Sequence, residues 1–219
     1  FSDAQTKEES EPQTTERETI DQDATLATAS ARIFATHGET KLNKRKIQLL
    51  ANQSLNPHRA LVQASRIAAS LEKTDHRLEI SETNLTSLIQ LCGSSDAFAE
   101  MIAANPALIT SLGATPSTAL RRDYRTILRF AIDAEQTFPG ELAALRLKWA
   151  ELMTEIGALD SSNELSIPET NRLQTDLAIA SLNVAYLVAR RELARRHGPF
   201  RAGPRIAFYG LGRLASGGV

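Results

Sequence analysis

The sequence of 219 residues has one cysteine, eight prolines, eleven glycines and few aromatic side chains. The single cysteine, Cys92, cannot form an internal disulfide, so a disulfide-stapled secreted scaffold is excluded and a cytoplasmic setting is expected. Glycine and proline are too scarce for a collagenous or low-complexity chain. No apolar run approaches the roughly 20 residues that a membrane-spanning helix needs, so we expect no membrane association. The chain begins with Phe1 and acidic and polar residues, which resemble neither an initiator methionine nor the basic n-region and apolar core of a signal peptide, and we interpret the chain as a fragment.

The formal net charge of −1 conceals an acidic N-terminal stretch. Residues 1–23 contain eight acidic residues but only Lys7 and Arg17 as basic ones. Because this stretch has almost no apolar residues, it cannot bury enough surface to offset its chain entropy. We predict that residues 1–24 form a disordered acidic tail or linker, with a regulatory acidic motif as the alternative.

From Ala24 onward the apolar residues recur with the period of a helix and almost never alternate as in a strand. Pro57, Pro106 and Pro116 each follow an Asn or Thr that can cap a first helical turn. Five glycines stand where the periodic segments end and are predicted to be helix stops: Gly38, Gly93, Gly113, Gly157 and Gly198. The sequence therefore predicts a mainly α-helical, bundle-like domain over residues 25–198. Its predicted helices cover residues 25–36, 41–53, 57–73, 82–92, 95–104, 106–112, 116–137, 140–156 and 168–197.

The last predicted helix, 168–197, has the clearest amphipathic pattern. Five apolar residues step by four and three along one face: Leu173, Leu177, Ala180, Val184 and Leu187. Three more apolar residues are expected to widen that face: Ile179, Leu182 and Tyr186. We predict that this helix is the spine of the bundle.

The same helix ends in a basic cluster of Arg190, Arg191, Arg195, Arg196 and His197. Cations at a helix C-terminus complement the negative end of the helix dipole, and we favour this interpretation. The alternative is a phosphate-facing surface, because three more arginines follow closely and could converge on one anion: Arg201, Arg205 and Arg213. The cluster lacks the interleaved aromatic residues of a single-stranded nucleic-acid surface, so no nucleic-acid binding is expected.

The pattern changes after Gly198. A Gly/Pro/Arg connection leads into the short apolar run 206–209, which predicts a strand, and the strand opens into a glycine-rich loop. Glycines let backbone amides approach an anion closely, so we predict a phosphate-binding loop with the site residues Gly210, Gly212, Arg213, Ser216 and Gly217. A strand followed by Gly-x-Gly-x-x-Ala also fits the start of a dinucleotide-binding domain, and an ordinary glycine-rich turn is a third interpretation.

The loop segment Leu211-Gly212-Arg213-Leu214 is reached from a long helix that ends in His197-Gly198-Pro199. Upstream, segment 91–109 has a Gly-Ser turn before one helix and Asn-Pro-Ala-Leu before the next. Together with segments 145–160 and 175–178, these features resemble the glutamate-ammonia-ligase adenylyltransferase family over roughly residues 56–219. Members of that family add AMP to glutamine synthetase and remove it.

The resemblance implies that the full-length protein is a nucleotidyltransferase that moves AMP from ATP to a tyrosine of glutamine synthetase, or removes it by phosphorolysis, and so regulates nitrogen assimilation. Mg²⁺ and ATP are the implied cofactors, and glutamine synthetase and a PII-type signalling protein are the implied partners. Residues 199–219 would be the truncated start of a nucleotidyltransferase α/β domain. The family's Ser-Asp-x-Asp-Leu segment, whose aspartates bind the metal, is expected after Val219. We therefore assign no catalytic or metal-binding residue here and expect the fragment to be inactive.

The loop departs from the family's usual Gly-Met-Gly-Lys-Leu-Gly-Gly followed by Glu-Leu. Arg213 stands in place of Lys and keeps the positive charge with a different geometry. Ala215 and Ser216 replace two glycines, and Gly218 replaces the Glu. The sequence leaves open whether this is the adenylylating or the deadenylylating half, and the acidic stretch before the first helix slightly favours the former. The start of a dinucleotide-binding oxidoreductase and a non-enzymatic helical interaction module remain alternative functions.

Isolated residues of chemical interest have simpler interpretations. Cys92 has no His or Asp partner at catalytic spacing and is interpreted as a buried structural cysteine. The four histidines show no metal-ligand spacing: His37, His58, His76 and His197. Trp149 lies at helical spacing from several leucines and is expected in the core. Arg122 and Asp123 are interpreted as part of a solvated helix face.

Overall fold

The computed structural model describes residues 11–38, 42–74 and 77–198. In these ranges the chain is mainly helical and has no β-strand, apart from an isolated parallel bridge between Gly38 and Ile80. The helices are α1 (Glu11–His37), α2 (Lys44–Asn52), α3 (Pro57–Leu71), α4 (Glu82–Ser94), α5 (Asp96–Ala104), a 3₁₀ helix (Pro106–Ser111), α6 (Pro116–Ala119), α7 (Tyr124–Asp133), α8 (Phe138–Ser161) and α9 (Ile167–His197). The prediction of a mainly helical chain is confirmed. The predicted strand 206–209 and the glycine-rich loop lie outside the described residues.

The chain divides into two compact units, one up to Thr110 and one from Ser111. The first contains α1 to α5 and the second contains α6 to α9. The sequence pattern predicts one helical domain over residues 25–198, because no linker composition marks the boundary between the units, which falls inside the short 3₁₀ helix.

In the first unit α3 is the central helix, and α1, α2, α4 and α5 all pack against it. Its buried face combines alanines with larger residues: Ala60, Leu61, Ala64, Ile67, Ala68 and Leu71. Asn56 caps the helix by accepting a hydrogen bond from the Arg59 amide at 3.0 Å, and Pro57 follows in the first turn, as predicted. Alanines on the central face let neighbouring helices approach closely, so that α3 organises the unit.

Polar contacts join α3 to the helices that cover it. Gln63 Nε2 donates to Asp96 Oδ1 at 2.7 Å, and Arg59 Nε donates to the Gly93 carbonyl at 3.1 Å. Gly93 lies inside α4 and does not end it, in contrast to the prediction. A Cβ at this glycine would lie 2.4 Å from the Ser54 hydroxyl oxygen, so glycine is required here by close packing.

The first helix starts earlier than predicted. α1 begins at Glu11, whereas the predicted helix begins at residue 25, and residues 1–10 lie outside the described part of the chain. Phe34 and Ala27 are fully buried, and this burial anchors the C-terminal half of the helix. Extending an existing helix costs far less than nucleating one, and Asp23 adds a hydrogen bond with the His58 ring at 2.7 Å, so the helix continues into the acidic stretch.

In the second unit α7, α8 and α9 pack on one another around a single core cluster. The predicted spine is α9, and its buried apolar residues are Leu173, Leu177, Ala180, Val184 and Val188. Leu187 is only partly buried, while Ile179 and Leu182 are 46% and 37% exposed. The buried stripe is thus narrower than predicted, since Ile179 and Leu182 lie largely outside it. Its last step is four residues, from Val184 to Val188, and not the predicted three residues to Leu187.

Local signals mark the starts of α7 and α9 and the end of α8. Ser166 and Glu169 form a capping box at the start of α9. The predicted helix 116–137 is divided into α6 and α7, since Asp123 caps a new helix by accepting a hydrogen bond from the Thr126 amide. The predicted stop at Gly157 is wrong: this glycine is buried inside α8, which continues to Ser161 and is followed by Asn163 in the left-handed region at φ 56°.

Candidate functional site

The predicted phosphate-loop residues all lie outside the described part of the chain: Gly210, Gly212, Arg213, Ser216 and Gly217. Their role therefore stays a prediction. The described residue closest to them in sequence is Gly198, which ends α9 with a φ of 79°. This positive φ favours glycine, and it marks where the chain leaves the helical region toward the predicted loop.

Charged side chains converge at the C-terminal end of α9. We define the α9-end network as Asp133, Glu141, Arg191, Glu192, Arg195 and Arg196. Arg191 donates to Asp133 at 2.5 Å and to Glu141 Oε1 at 3.1 Å. Arg195 contacts the same Glu141 oxygen at 2.9 Å and also Glu192 at 3.2 Å. The network therefore joins the end of α9 to both α7 and α8.

Glu141 is the most buried member of the network, with 1% of its side chain exposed. Thr137 caps α8 by accepting a hydrogen bond from the Gly140 amide, and this places Glu141 in the first turn, where the helix dipole favours a negative charge. Removing a carboxylate from water is costly unless cations compensate it, and two guanidinium groups do so here. The Glu141 carboxylate is thus stabilised by the dipole of its own helix and by two arginines of α9.

The network shifts the protonation of several members. Arg191 holds the pKa of Asp133 below its ordinary value through a hydrogen bond, and Arg196 does the same to the pKa of Glu192. Asp133 in turn raises the pKa of Arg191, and Glu141 raises the pKa of Arg195. These directions favour the charged forms of these four groups.

The network agrees with the favoured interpretation of the basic cluster as a structural helix end. Arg191, Arg195 and Arg196 are each paired with carboxylates, and the phosphate-facing alternative stays a prediction because Arg201, Arg205 and Arg213 lie outside the described residues. Arg190 stacks over the ring of Tyr186 at 5.8 Å. Sequence reasoning missed Asp133 and Glu141 because they are 58 and 50 residues away from Arg191 along the chain.

A second cluster of buried polar side chains lies around Glu155 in α8. Its side chain is 4% exposed and forms an ion pair with Arg122, so Arg122 does not belong to a solvated helix face as expected. Burial raises the pKa of Glu155 despite the opposing charge of Arg122. Burial also raises the pKa of Tyr124 to about 12, and the negative charge of Glu155 adds to this shift. Asp123 has the structural role of capping α7.

The single cysteine and His37 have structural surroundings. Cys92 is fully buried, as predicted, and burial raises the pKa of its thiol to about 12, so it is not a nucleophile in this fold. His37 Nδ1 accepts a hydrogen bond from the Leu78 amide at 3.1 Å. In residues 11–38, 42–74 and 77–198, no group of three or more His, Cys, Asp or Glu side chains could hold a metal ion.

A family model described as glutamate-ammonia ligase adenylyltransferase matches residues 85–219. No curated protein and no solved structure matches the chain. The matched segment begins inside α4, includes the whole second unit and extends over the predicted loop. In the part of the chain that the structure describes, no helix is long and apolar enough to cross a membrane.

Proposed function

The chain belongs to the glutamate-ammonia ligase adenylyltransferase family, and from this membership we propose that the full-length protein transfers AMP from ATP to a tyrosine of glutamine synthetase or removes it by phosphorolysis. The family match over residues 85–219 is the observation that supports this proposal. The match covers more than half of the chain and includes the glycine-rich segment from which a phosphate-binding role was predicted. The same membership supports the proposal of a role in regulating nitrogen assimilation in the cytoplasm, with a PII-type protein as a further partner.

We assign the predicted loop the task of holding the phosphates of ATP. Backbone amides at Gly212 and Ser216 would bind the phosphate oxygens, and Arg213 would add a positive charge. Held in this way, a nucleotide presents its α-phosphate in one orientation to the attacking hydroxyl. Arg213 occupies the family's usual lysine position, and its planar guanidinium can bind two oxygens at once.

Mg²⁺ is the metal that the family implies, and the described residues do not fit it. They contain no cluster of three or more metal-ligating side chains, and the 219 residues contain no Ser-Asp-x-Asp segment. We propose that the metal ligands belong to that segment of the full-length protein. This chain alone should then transfer no AMP, and robust transfer by the isolated chain would contradict the assignment.

The test of the loop is Arg213→Ala in the full-length protein, with Arg45→Ala as the matched control, which removes the same charge from an exposed position of α2. Losing a charge-assisted hydrogen bond should weaken the use of ATP by about 1.5–3 kcal/mol in kcat/KM, with little change in melting temperature. The control should behave as wild type. Equal activity of Arg213→Ala and wild type would show that Arg213 does not bind the nucleotide.

A further inference from the structure

The end of α9 is held in place by ion pairs and not by apolar packing. Val188 is the last buried residue of the helix, and Leu193, the one large aliphatic residue beyond it, is 41% exposed. Within residues 189–197, Arg191 and Arg195 connect the helix to Asp133 of α7 and Glu141 of α8. The direction of the last two turns therefore depends on the α9-end network.

Glu141 is the central group of that arrangement. Its Oε1 atom lies 3.1 Å from Arg191 and 2.9 Å from Arg195, so one carboxylate oxygen binds two successive turns of α9. The other contacts of these arginines involve carboxylates that are more exposed, since 42% of the Asp133 side chain and 18% of the Glu192 side chain are accessible. Buried ion pairs are screened less by solvent than exposed ones, so Glu141 contributes most to fixing the helix end.

We propose that Glu141 is a positioning residue, which fixes the end of α9 and through it the place from which the nucleotide-binding loop extends. This inference rests on the proposed function of the loop. Only the seven residues 199–205 separate the end of α9 from the predicted strand in the sequence, so the helix end is the last described point before the predicted loop. A change in the direction of that end would misplace the loop relative to the reacting groups, and small misplacements are costly in catalysis.

The experiment compares Glu141→Gln with Glu155→Gln in the full-length protein. Both changes remove one charge from a buried carboxylate of α8 that is paired with arginine, but Glu155 lies toward the other end of the helix and contacts Arg122 instead of α9. KM for ATP, kcat and melting temperature are measured for each variant. Glu141→Gln should raise KM for ATP about tenfold, the scale expected for misplaced binding groups, whereas Glu155→Gln should leave KM unchanged even if it shifts the melting temperature.

Hydrogen exchange of residues 189–198 provides a readout that does not need activity. In Glu141→Gln these amides should exchange at least about tenfold faster than in wild type, while those of residues 173–188 keep their protection. If Glu141→Gln does not fold, Arg195→Gln is the second variant, since its side chain is 38% exposed and its loss removes one donor to Glu141.

Each outcome has a defined meaning. An unchanged KM in Glu141→Gln, or an equal rise of KM in both variants, would overturn the positioning role. Unchanged exchange over residues 189–198 would show that the network does not hold the helix end and would overturn it too. If the wild-type protein transfers no AMP, the proposed function fails and the role in nucleotide binding fails with it, and the exchange data then report separately whether Glu141 fixes the helix end.

Discussion

Replacing Leu177 with alanine should destabilise the second unit by about 2–5 kcal/mol, whereas the same change at Leu182 should cost about 1 kcal/mol or less. The two residues have the same side chain and lie on the same helix, but Leu177 is 1% exposed and Leu182 is 37% exposed. Leu177 belongs to the core cluster that α7, α8 and α9 share. Its truncation leaves a cavity in a closed core, while truncation of Leu182 removes atoms that already contact solvent.

Urea denaturation of the chain measures this difference, and the protein has a convenient reporter. Trp149 is the single tryptophan, and it packs against the core of the second unit, so its fluorescence follows the unfolding of that unit. The Leu177→Ala curve should move to clearly lower urea than the wild-type curve, with Leu182→Ala between them and close to wild type. Equal losses in the two variants, or no loss at Leu177, would refute the assignment of the buried stripe.

Three further predictions concern other parts of the fold. Residues 85–219 alone lack α2 and α3, which pack against α4, so Cys92 should react quickly with a thiol reagent in that truncated chain. In the full 219 residues the burial of Cys92, which raises the pKa of its thiol to about 12, should prevent the reaction, and equal rates would contradict the described first unit. Ser166→Ala breaks the capping box of α9 and should lower the free energy of unfolding, measured by urea denaturation, by about 1 kcal/mol. Ser181→Ala in the middle of the same helix should lower it by less, and the reverse order would contradict the capping role of Ser166. Burial raises the pKa of Glu155 in the folded state above its ordinary value of 4.5, so the folded protein binds the proton more tightly than the unfolded chain. The wild type should therefore lose stability relative to Glu155→Gln as the pH rises from about 4 through the raised pKa. A difference in unfolding free energy between the two proteins that does not change with pH would contradict this.

The parts of the fold that could be predicted from the sequence are those that depend on local signals. Asn56 before Pro57 and Thr115 before Pro116 both mark predicted helix starts that the structure confirms. These caps involve residues within one turn of each other, so their geometry is encoded in the segment itself. The mainly helical character followed from the apolar period for the same reason.

The parts that could not be predicted depend on contacts between distant segments. Glu141 looked like an ordinary acidic residue in a first helical turn, and only the packing of α8 against α9 places it beside Arg191 and Arg195. The buried stripe of α9 shifts to Val188 because the neighbouring helices decide which side of its last turns is covered. Gly157 resembled a helix stop, but burial of the surrounding segment keeps it helical.

The central claim is that the full-length protein moves an adenylyl group to glutamine synthetase. The most direct test incubates the two proteins with Mg²⁺ and with ATP labelled at either the α- or the γ-phosphate. The proposed function predicts that label from the α-phosphate becomes covalently bound to a tyrosine of glutamine synthetase and that label from the γ-phosphate does not. Transfer of the γ-label would indicate a phosphoryl transfer instead, and the absence of both labels would contradict the proposed activity.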